Sequence, residues 1–254
     1  MQTIMAFIAS GTAQPWYAKL LKDLHQTFIE KDRWQMFLKG LGITVEVALL
    51  ALVIGIIIGV CVAMIRATHD QRRVKKKTLG SIILDIANFI CHIYLTVIRG
   101  TPMMVQLLIM YFVIFVSVRN QVVIAIIAFG INSGAYVAEI VRSGIMSIDA
   151  GQMEAGRSLG LSYGQTMKSI IIPQAFKNIL PALGNEMIVL FKDTSLVTVI
   201  GLMDLTKTAQ VIAGATYQAY VPLIAAAVVY LVCVIILSKI LGVVERRLRA
   251  GDKR

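Results

Sequence analysis

Residues 43–65 read ITVEVALLALVIGIIIGVCVAMI, an apolar run interrupted in charge only by Glu46. A helix rises about 1.5 Å per residue, so about 20 such residues cross the roughly 30 Å hydrocarbon core of a bilayer. The stretch is therefore expected to span a membrane. Within it Gly55 and Gly59 stand four apart, the small-xxx-small spacing that lets a neighbouring helix come close. Directly after it come Arg66, Arg72, Arg73, Lys75, Lys76 and Lys77 against one acid, Asp70. Short loops rich in Lys and Arg stay on the cytoplasmic side, which puts this loop inside and the N-terminus outside.

Composition extends that reading to the whole chain. Of 254 residues, 57% are hydrophobic and 15% charged, well under the roughly one quarter charged in an ordinary soluble domain. This excludes such a domain and excludes disorder. The net charge of +11 sits between long apolar runs rather than on a face interleaved with aromatics, so no nucleic-acid partner is expected. Further apolar runs occupy residues 80–98, 102–118, 122–141, 170–191 and 221–243. In the first of these Ser81, Asp85, Asn88, His92, Thr96 and Arg99 recur every three or four residues. Such a polar stripe makes a poor complete lipid-facing span, and Pro102 should break the helix after it. Residues 14–39 carry both signs of charge, with Trp16, Leu20, Leu24 and Phe28 at steps of four, the pattern of an amphipathic helix at the membrane surface. Residues 1–12 lack the basic and apolar segments of a secretory signal. Cys61, Cys91 and Cys233 lie in apolar stretches and read as buried small hydrophobes. His25, His69 and His92 share no ligand spacing with carboxylates or cysteines, so no metal site is expected.

One long polar stretch stands apart. Residues 151–162 read GQMEAGRSLGLS, a short amphipathic helix ended by Gly160 with a second helix starting at Ser162. A membrane protein that exposes such a helix on a tight loop presents a knob to a partner; a plain connection with a helical turn is the alternative. At this point the chain resembles the permease subunits of binding-protein-dependent ABC importers. Their cytoplasmic loop runs Glu-Ala-Ala, three residues, Gly, nine residues, Ile, one residue, Leu-Pro. Glu154-Ala155-Gly156 is followed at that spacing by Gly160, Ile170, Ile172 and Pro173, with Gly156 for the second Ala and Ile172 for Leu. Gly156 should loosen the helix by about 1 kcal/mol relative to Ala. Arg99-Gly100-Thr101-Pro102 with Gln106, Gly134-Ala135-Tyr136 with Ala138-Glu139-Ile140 and Arg142, Pro173-Gln174-Ala175, Asn185, and Lys192-Asp193-Thr194-Ser195-Leu196 look like the polar amino acid uptake branch of that family, the histidine, glutamine and arginine permeases. The resemblance covers residues 40–245.

The resemblance implies a cytoplasmic 142–168 stretch. Parity then allows two crossings before it, so the runs at 80–98 and 102–118 count as one long broken helix. The expected fold is an all-α integral membrane protein of five transmembrane helices, a type I importer permease with a MetI-like core, plus the N-terminal amphipathic helix and the cytoplasmic coupling helix. Residues 1–39 form an extracytoplasmic or interfacial segment, 40–245 the permease domain with its coupling loop at 149–170, and 246–254 a basic cytoplasmic tail. Segments 66–80, 142–177 and 239–254, all inside in this arrangement, carry the whole +11.

The implied function is that of a non-catalytic subunit moving a polar or charged amino acid across a bacterial cytoplasmic (inner) membrane. The chain has no G-x-x-x-x-G-K-[ST] phosphate loop; no cofactor is expected on it, and ATP and Mg belong to a separate ATP-binding subunit. An extracytoplasmic amino-acid-binding protein, a second permease chain, identical or paralogous, and membrane lipid complete the partners. Coupling to the ATPase falls to Glu154, Ala155, Gly156, Gly160 and Leu161, with a capping role for Glu154 near the helix start as the alternative. Polar groups inside a bilayer are costly unless they pair or face water. Glu139 and Arg142, three apart, are expected to form a gating or structural pair. Glu186, mid-span beside Asn185, is expected to receive the ammonium or a cationic side chain of the substrate, or else to pair with Arg99 of either chain. Thr101, Gln106 and Asn132 are placed to hydrogen-bond its carboxylate. Two other classes stay open: an ion-driven channel or secondary transporter, and a structural subunit that only anchors another complex.

Overall fold

A computed structural model describes residues 16–70 and 78–250. Most of the basic loop, Arg72, Arg73, Lys75, Lys76 and Lys77, lies outside the described residues, as do residues 1–15 and the last four of the tail. Every regular element among the described residues is helical. Helix α1 is Trp16–Phe28. Lys31 and Asp32, at φ 56° and 52°, then interrupt the helix before α2, Arg33–Asp70. Helix α2 starts ten residues ahead of the expected span because 33–42 contains no proline and packing keeps Phe37 and Gly40 buried despite the cost of two glycines. Helix α3 is Leu79–Gly100, its first turn closed by Ser81 Oγ accepting from the Thr78 N–H at 3.0 Å. Extended backbone at Thr101 and Pro102 breaks the helix there, and α4, Met103–Ile109, resumes and runs into a π turn at Met110–Ile114. Asn120 caps α5, Gln121–Met146, by accepting from the Val122 N–H at 3.0 Å.

The polar stretch folds as α6, Ala150–Ser158, and α7, Tyr163–Thr166. A π turn at Met167–Ile171 leads into α8, Ile172–Asp193. Pro173 has no N–H to donate to Ser169, and the turn widens just before it, with Ile172 N–H bonding Met167 O instead. Beyond a 3-10 segment at Thr194–Ile200 come α9, Leu205–Thr216, and α10, Tyr220–Ala250.

Among the described residues four helical stretches are long and apolar enough to cross a membrane: Trp16–Asp70, α3, α5 and α10. Helix α3 belongs to that set despite its polar stripe, because Ile82, Ile83, Ile86, Phe89, Ile90 and Ile93 form an exposed apolar flank. Helix α8 has a comparable length, but Lys177, Asn185, Glu186, Lys192 and Asp193 dilute its apolar character. The five expected crossings thus reduce, on length and apolarity alone, to four.

The centre of the bundle is the seam between α2 and α5, the most extensive helix pair in the molecule. A Cβ at Gly59 would fall 2.6 Å from Val137 Cβ, and one at Gly134 would fall 2.9 Å from Ile58 Cβ. The seam is therefore reciprocal. Gly55 and Gly59 of α2 admit α5, and Gly130 and Gly134 of α5, which the sequence reading did not pair with them, admit α2. Around it Val47, Ala51, Ala125, Phe129 and Phe191 make a dry core. Cys91 is buried in a separate cluster with Val62, Leu95, Ala135 and Ala138, but Cys233 is half-buried and Cys61 is exposed on α2, which corrects the expectation of three buried thiols.

At the end where α1 and α9 lie, Asp204 is fully buried and caps α9, accepting from the Lys207 N–H at 2.7 Å and the Tyr230 hydroxyl at 3.3 Å. Burial pushes its carboxyl above the ordinary carboxylate range, against the pull of the Lys207 and Thr206 backbone N–H groups.

Candidate functional site

The polar groups of the spans collect on the side of α5 that faces α3, α4 and α8. The break at Pro102 explains the first of them. Pro102 cannot donate to the carbonyl of Ile98, and Gln106 Nε2 does so instead at 2.8 Å. The same amide nitrogen reaches Thr101 Oγ1 at 2.8 Å, and Asn132 Nδ2 donates to Gln106 Oε1 at 2.9 Å. Thr101, Gln106 and Asn132 are thus brought together, and their donors repair the helix break and tie it to α5.

A second group of polar side chains lies around a cavity. A cavity of about 490 Å³ is lined by Arg66, His92, Leu95, Thr96, Arg99, Gly100 and Tyr136. The Arg99 guanidinium sits 3.4 Å from Glu139 Oε2 and 5.9 Å from the centre of the Tyr136 ring. Arg142 Nη1 lies 3.6 Å from the other Glu139 oxygen, so the expected Glu139–Arg142 pair is present and shared with a second cation. Arg66 Nε is buried with no hydrogen-bond partner among the described residues. Of these lining groups the sequence reading weighs only Arg99 as a member of the site, as the alternative partner of Glu186, and gives Gly100 and Tyr136 as motif residues. Arg66, the first residue of the basic loop, was counted as a topology marker, and His92 and Thr96 as a stripe.

Glu186 accepts from Ser133 Oγ at 2.8 Å, and among the described residues no Lys, Arg or His comes within ion-pair distance of it. Arg99 of the same chain is not its partner, being engaged by Glu139. Asn185 beside it is exposed. Ser133 follows Asn132 on α5, so the Gln106 network and the Glu186 contact hang from one helical turn. Ser133, fully buried, was missed because a lone Ser in an apolar run carries no periodic signal.

The α6–α7 loop is built for shape. Asp149 Oδ1 accepts from the Gly151 N–H at 2.6 Å, so Asp149 is the cap, and Glu154 in the second turn is exposed and free of that duty. The helix ends with Gly160 N–H on Arg157 O at 3.1 Å and Leu161 N–H on Gly156 O at 3.2 Å, the paired bonds of a Schellman end. That end needs a left-handed residue, and Gly160 supplies φ 85°. Ser162 and Gln165 then start α7 with reciprocal bonds of 3.3 Å and 2.8 Å, the second helix start read from the sequence.

Gly156 has a role the sequence reading did not foresee. It is buried, and a Cβ there would fall 2.5 Å from Thr166 Cγ2 and 3.1 Å from Ile170 Cδ1. The loss of helix propensity is exchanged for close packing of α6 on the π turn. Two amides extend that contact to α8 and its neighbourhood: Gln174 Nε2 reaches Gln152 Oε1 at 3.4 Å, and Asn178 Nδ2 donates to Ser147 Oγ at 2.8 Å. Ala155 is exposed, Leu161 half-buried, and Leu159 stands out at 81% exposure as the tip of the loop.

Residues 83–250 match the family described as "Binding-protein-dependent transport system inner membrane component". The arginine transport system permease protein ArtQ of Bacillus subtilis is 40% identical over 218 residues, covering 85% of this chain and 93% of that protein. The glutamine transport system permease protein GlnP of Escherichia coli K12 is 37% identical over 218 residues, covering 84% and 93%. Among solved structures, an amino acid ABC transporter crystallised with histidines superposes with a TM-score of 0.76 at 38% identity, over 87% of this chain and 98% of the other. The inward-facing MetNI methionine ABC transporter shares the fold at TM-score 0.69 and 16% identity, over 85% and 97%.

Proposed function

We propose a mechanism that proceeds from one premise: this chain belongs to the binding-protein-dependent transport system inner membrane components. It is the transmembrane, non-catalytic permease subunit of an ABC-type amino-acid importer, a multi-pass protein of the inner membrane. The finer assignments are ours. The crossings are five, formed by α2, the broken α3–α4 pair, α5, α8 and α10, with the N-terminus outside and the C-terminus inside. The partner ATPase, carrying ATP and Mg, receives the α6 knob at Glu154, Ala155 and Leu161. An extracytoplasmic binding protein delivers the amino acid, and a second permease chain closes the pathway.

A single observation carries this reading. Helix α8 holds the α6 strap at Gln174 and, twelve residues later, presents Glu186 to α5, a distance of about 18 Å along one helix. Closure of the ATPase on ATP moves α6, the Gly156–Thr166 packing passes that motion to α8, and α8 shifts Glu186 relative to Ser133. Within the pathway Glu186 takes the ammonium or a cationic side chain. Arg66, His92, Thr96 and Arg99 supply donors for the carboxylate, which competes with Glu139 for Arg99. Glu139 and Arg142 act as the gate that this competition opens. Thr101, Gln106 and Asn132 hold the walls in place.

The test is reconstitution in liposomes with the ATP-binding subunit, the second permease chain and the binding protein, using a panel of labelled amino acids. Uptake is expected with ATP and binding protein together, and none from a sodium or proton gradient alone. Gradient-driven uptake by the chain by itself would sink the ABC reading in favour of a secondary transporter.

A further inference from the structure

Helix α1 carries an apolar face that outruns its support in the protein. On a wheel of 100° per residue Trp16, Tyr17, Leu20, Leu21, Leu24, Thr27 and Phe28 share one arc, and Lys19, Lys22, Asp23, His25 and Gln26 take the other. The last turn is docked. Thr27 is fully buried, the Phe28 ring packs 5.4 Å from the Phe37 ring, and the buried Arg33 guanidinium donates to the Gln26 carbonyl. The Gln26 and Gln218 amides meet at 2.8 Å, with the Asp23 carboxylate 3.1 Å from Gln218 in the amide orientation that suits both. The first three turns of the same face are bare, with Trp16 at 78% and Leu21 at 64% exposure.

The surroundings identify what covers that face. Both tryptophans of the chain, Trp16 and Trp34, are exposed at this end, together with Tyr17, Tyr217 and Tyr220. Tryptophan and tyrosine collect at the headgroup level of bilayers because each has an apolar body and a polar tip. Helix α2, which follows α1 in the chain, carries an exposed apolar flank of its own from Trp34 and Leu38 through Leu49, Val53 and Ile57 along the span. Lys19 and Lys22, both exposed, stand on the opposite arc, where lipid phosphates would meet them.

We propose that α1 is a membrane-surface anchor, seated in the headgroup–acyl boundary through Trp16, Tyr17, Leu20, Leu21 and Leu24, which clamps the Tyr217–Gln218 turn between α9 and α10 from that seat. The bilayer thereby fixes one edge of the α9–α10 end of the protein. This holds independently of what is transported.

The full chain with Trp34→Phe, which leaves Trp16 as its one tryptophan, is placed in phosphatidylcholine–phosphatidylglycerol vesicles containing acyl-brominated lipid. Trp16 emission is expected to fall by about half or more with brominated lipid and to resist aqueous iodide, as for a side chain at the acyl boundary. Quenching by iodide and not by lipid would show a water-facing helix and overturn the anchor. Shielding from both would show a protein-covered face and overturn it equally. For the clamp, Leu21→Asp should speed amide exchange at residues 214–219 by about tenfold, the signature of a released local contact. Exchange there that does not change, in protein whose Trp16 has lost its lipid quenching, would overturn the clamp.

Discussion

Two sides of α5 are built by opposite means. Toward α2 it offers Gly130, the Cβ of Ser133, Gly134 and Val137 to Ile54, Gly55, Ile58 and Gly59, with no room for another methyl group at several points. Toward α3, α4 and α8 it offers Asn132, Ser133, Tyr136, Glu139 and Arg142, each at a bond or contact of 2.8–5.9 Å from a side chain of another element or of its own next turn. The first side is held by dispersion and shape, which act over a few tenths of an ångström and admit one arrangement. The second is held by hydrogen bonds and ion pairs beside a cavity, which exchange partners at little cost. A helix made this way has a close-packed back and a polar front. A transporter that changes shape without unfolding needs both.

The comparison yields graded expectations. The largest effect belongs to the seam: Gly59→Leu puts a side chain where even a Cβ lies 2.6 Å from Val137, and should cost about 3 kcal/mol or more. Size-exclusion chromatography of detergent extracts is expected to show loss of most monodisperse protein; a normal peak would break the distinction between the two sides. Next comes the front of the helix. Glu186→Gln should leave that peak intact and lower transport by about tenfold, the scale of one lost charge-assisted interaction. Unchanged transport with unchanged substrate preference would remove Glu186 from the pathway.

The strap between α6 and the π turn sets the third expectation. Gly156→Ala should lower binding-protein-stimulated ATP hydrolysis about threefold by pushing α6 off Thr166, a strain of about 1 kcal/mol. Adding Thr166→Ser removes the clashing Cγ2 while keeping the hydroxyl that donates to Ser162 O at 3.1 Å, and should restore the activity. No rescue by the double variant would mean that α6 and α8 are not coupled through this contact.

The smallest effect is at Asp204, whose carboxyl burial raises above its ordinary value. A raised folded value means that the neutral form is favoured in the fold. That stability is full below the unfolded carboxylate value and is lost as pH rises through the raised one. Acidifying from neutral across that window should raise the thermal midpoint, and Asp204→Asn should flatten the profile there.

Much of this was legible in the residues. The broken helix at Pro102, the Schellman end at Gly160, the restart at Ser162 and the Glu139–Arg142 pair are all local, set within about one helical turn, and the chain order alone reveals them. Gly156 was misjudged for the same reason: propensity counts the cost of a glycine in its own helix and says nothing of Thr166 ten residues on. Glu154 as a cap lost to Asp149, which stands one residue before the helix and so has the geometry to reach an open N–H.

Sequence alone determined the class of the protein, its family, most of its helices and the short polar loop between α5 and α8, because hydrophobic runs, helix punctuation and a spaced motif are written along the chain. Tertiary structure alone decided which polar groups meet. Arg99 goes to Glu139 rather than to Glu186, Glu186 goes to Ser133, and Gln106 replaces the N–H that Pro102 lacks. The first two contacts depend on the rotation and register of one helix against another, α3 against α5 and α8 against α5. No periodicity within a single helix encodes that.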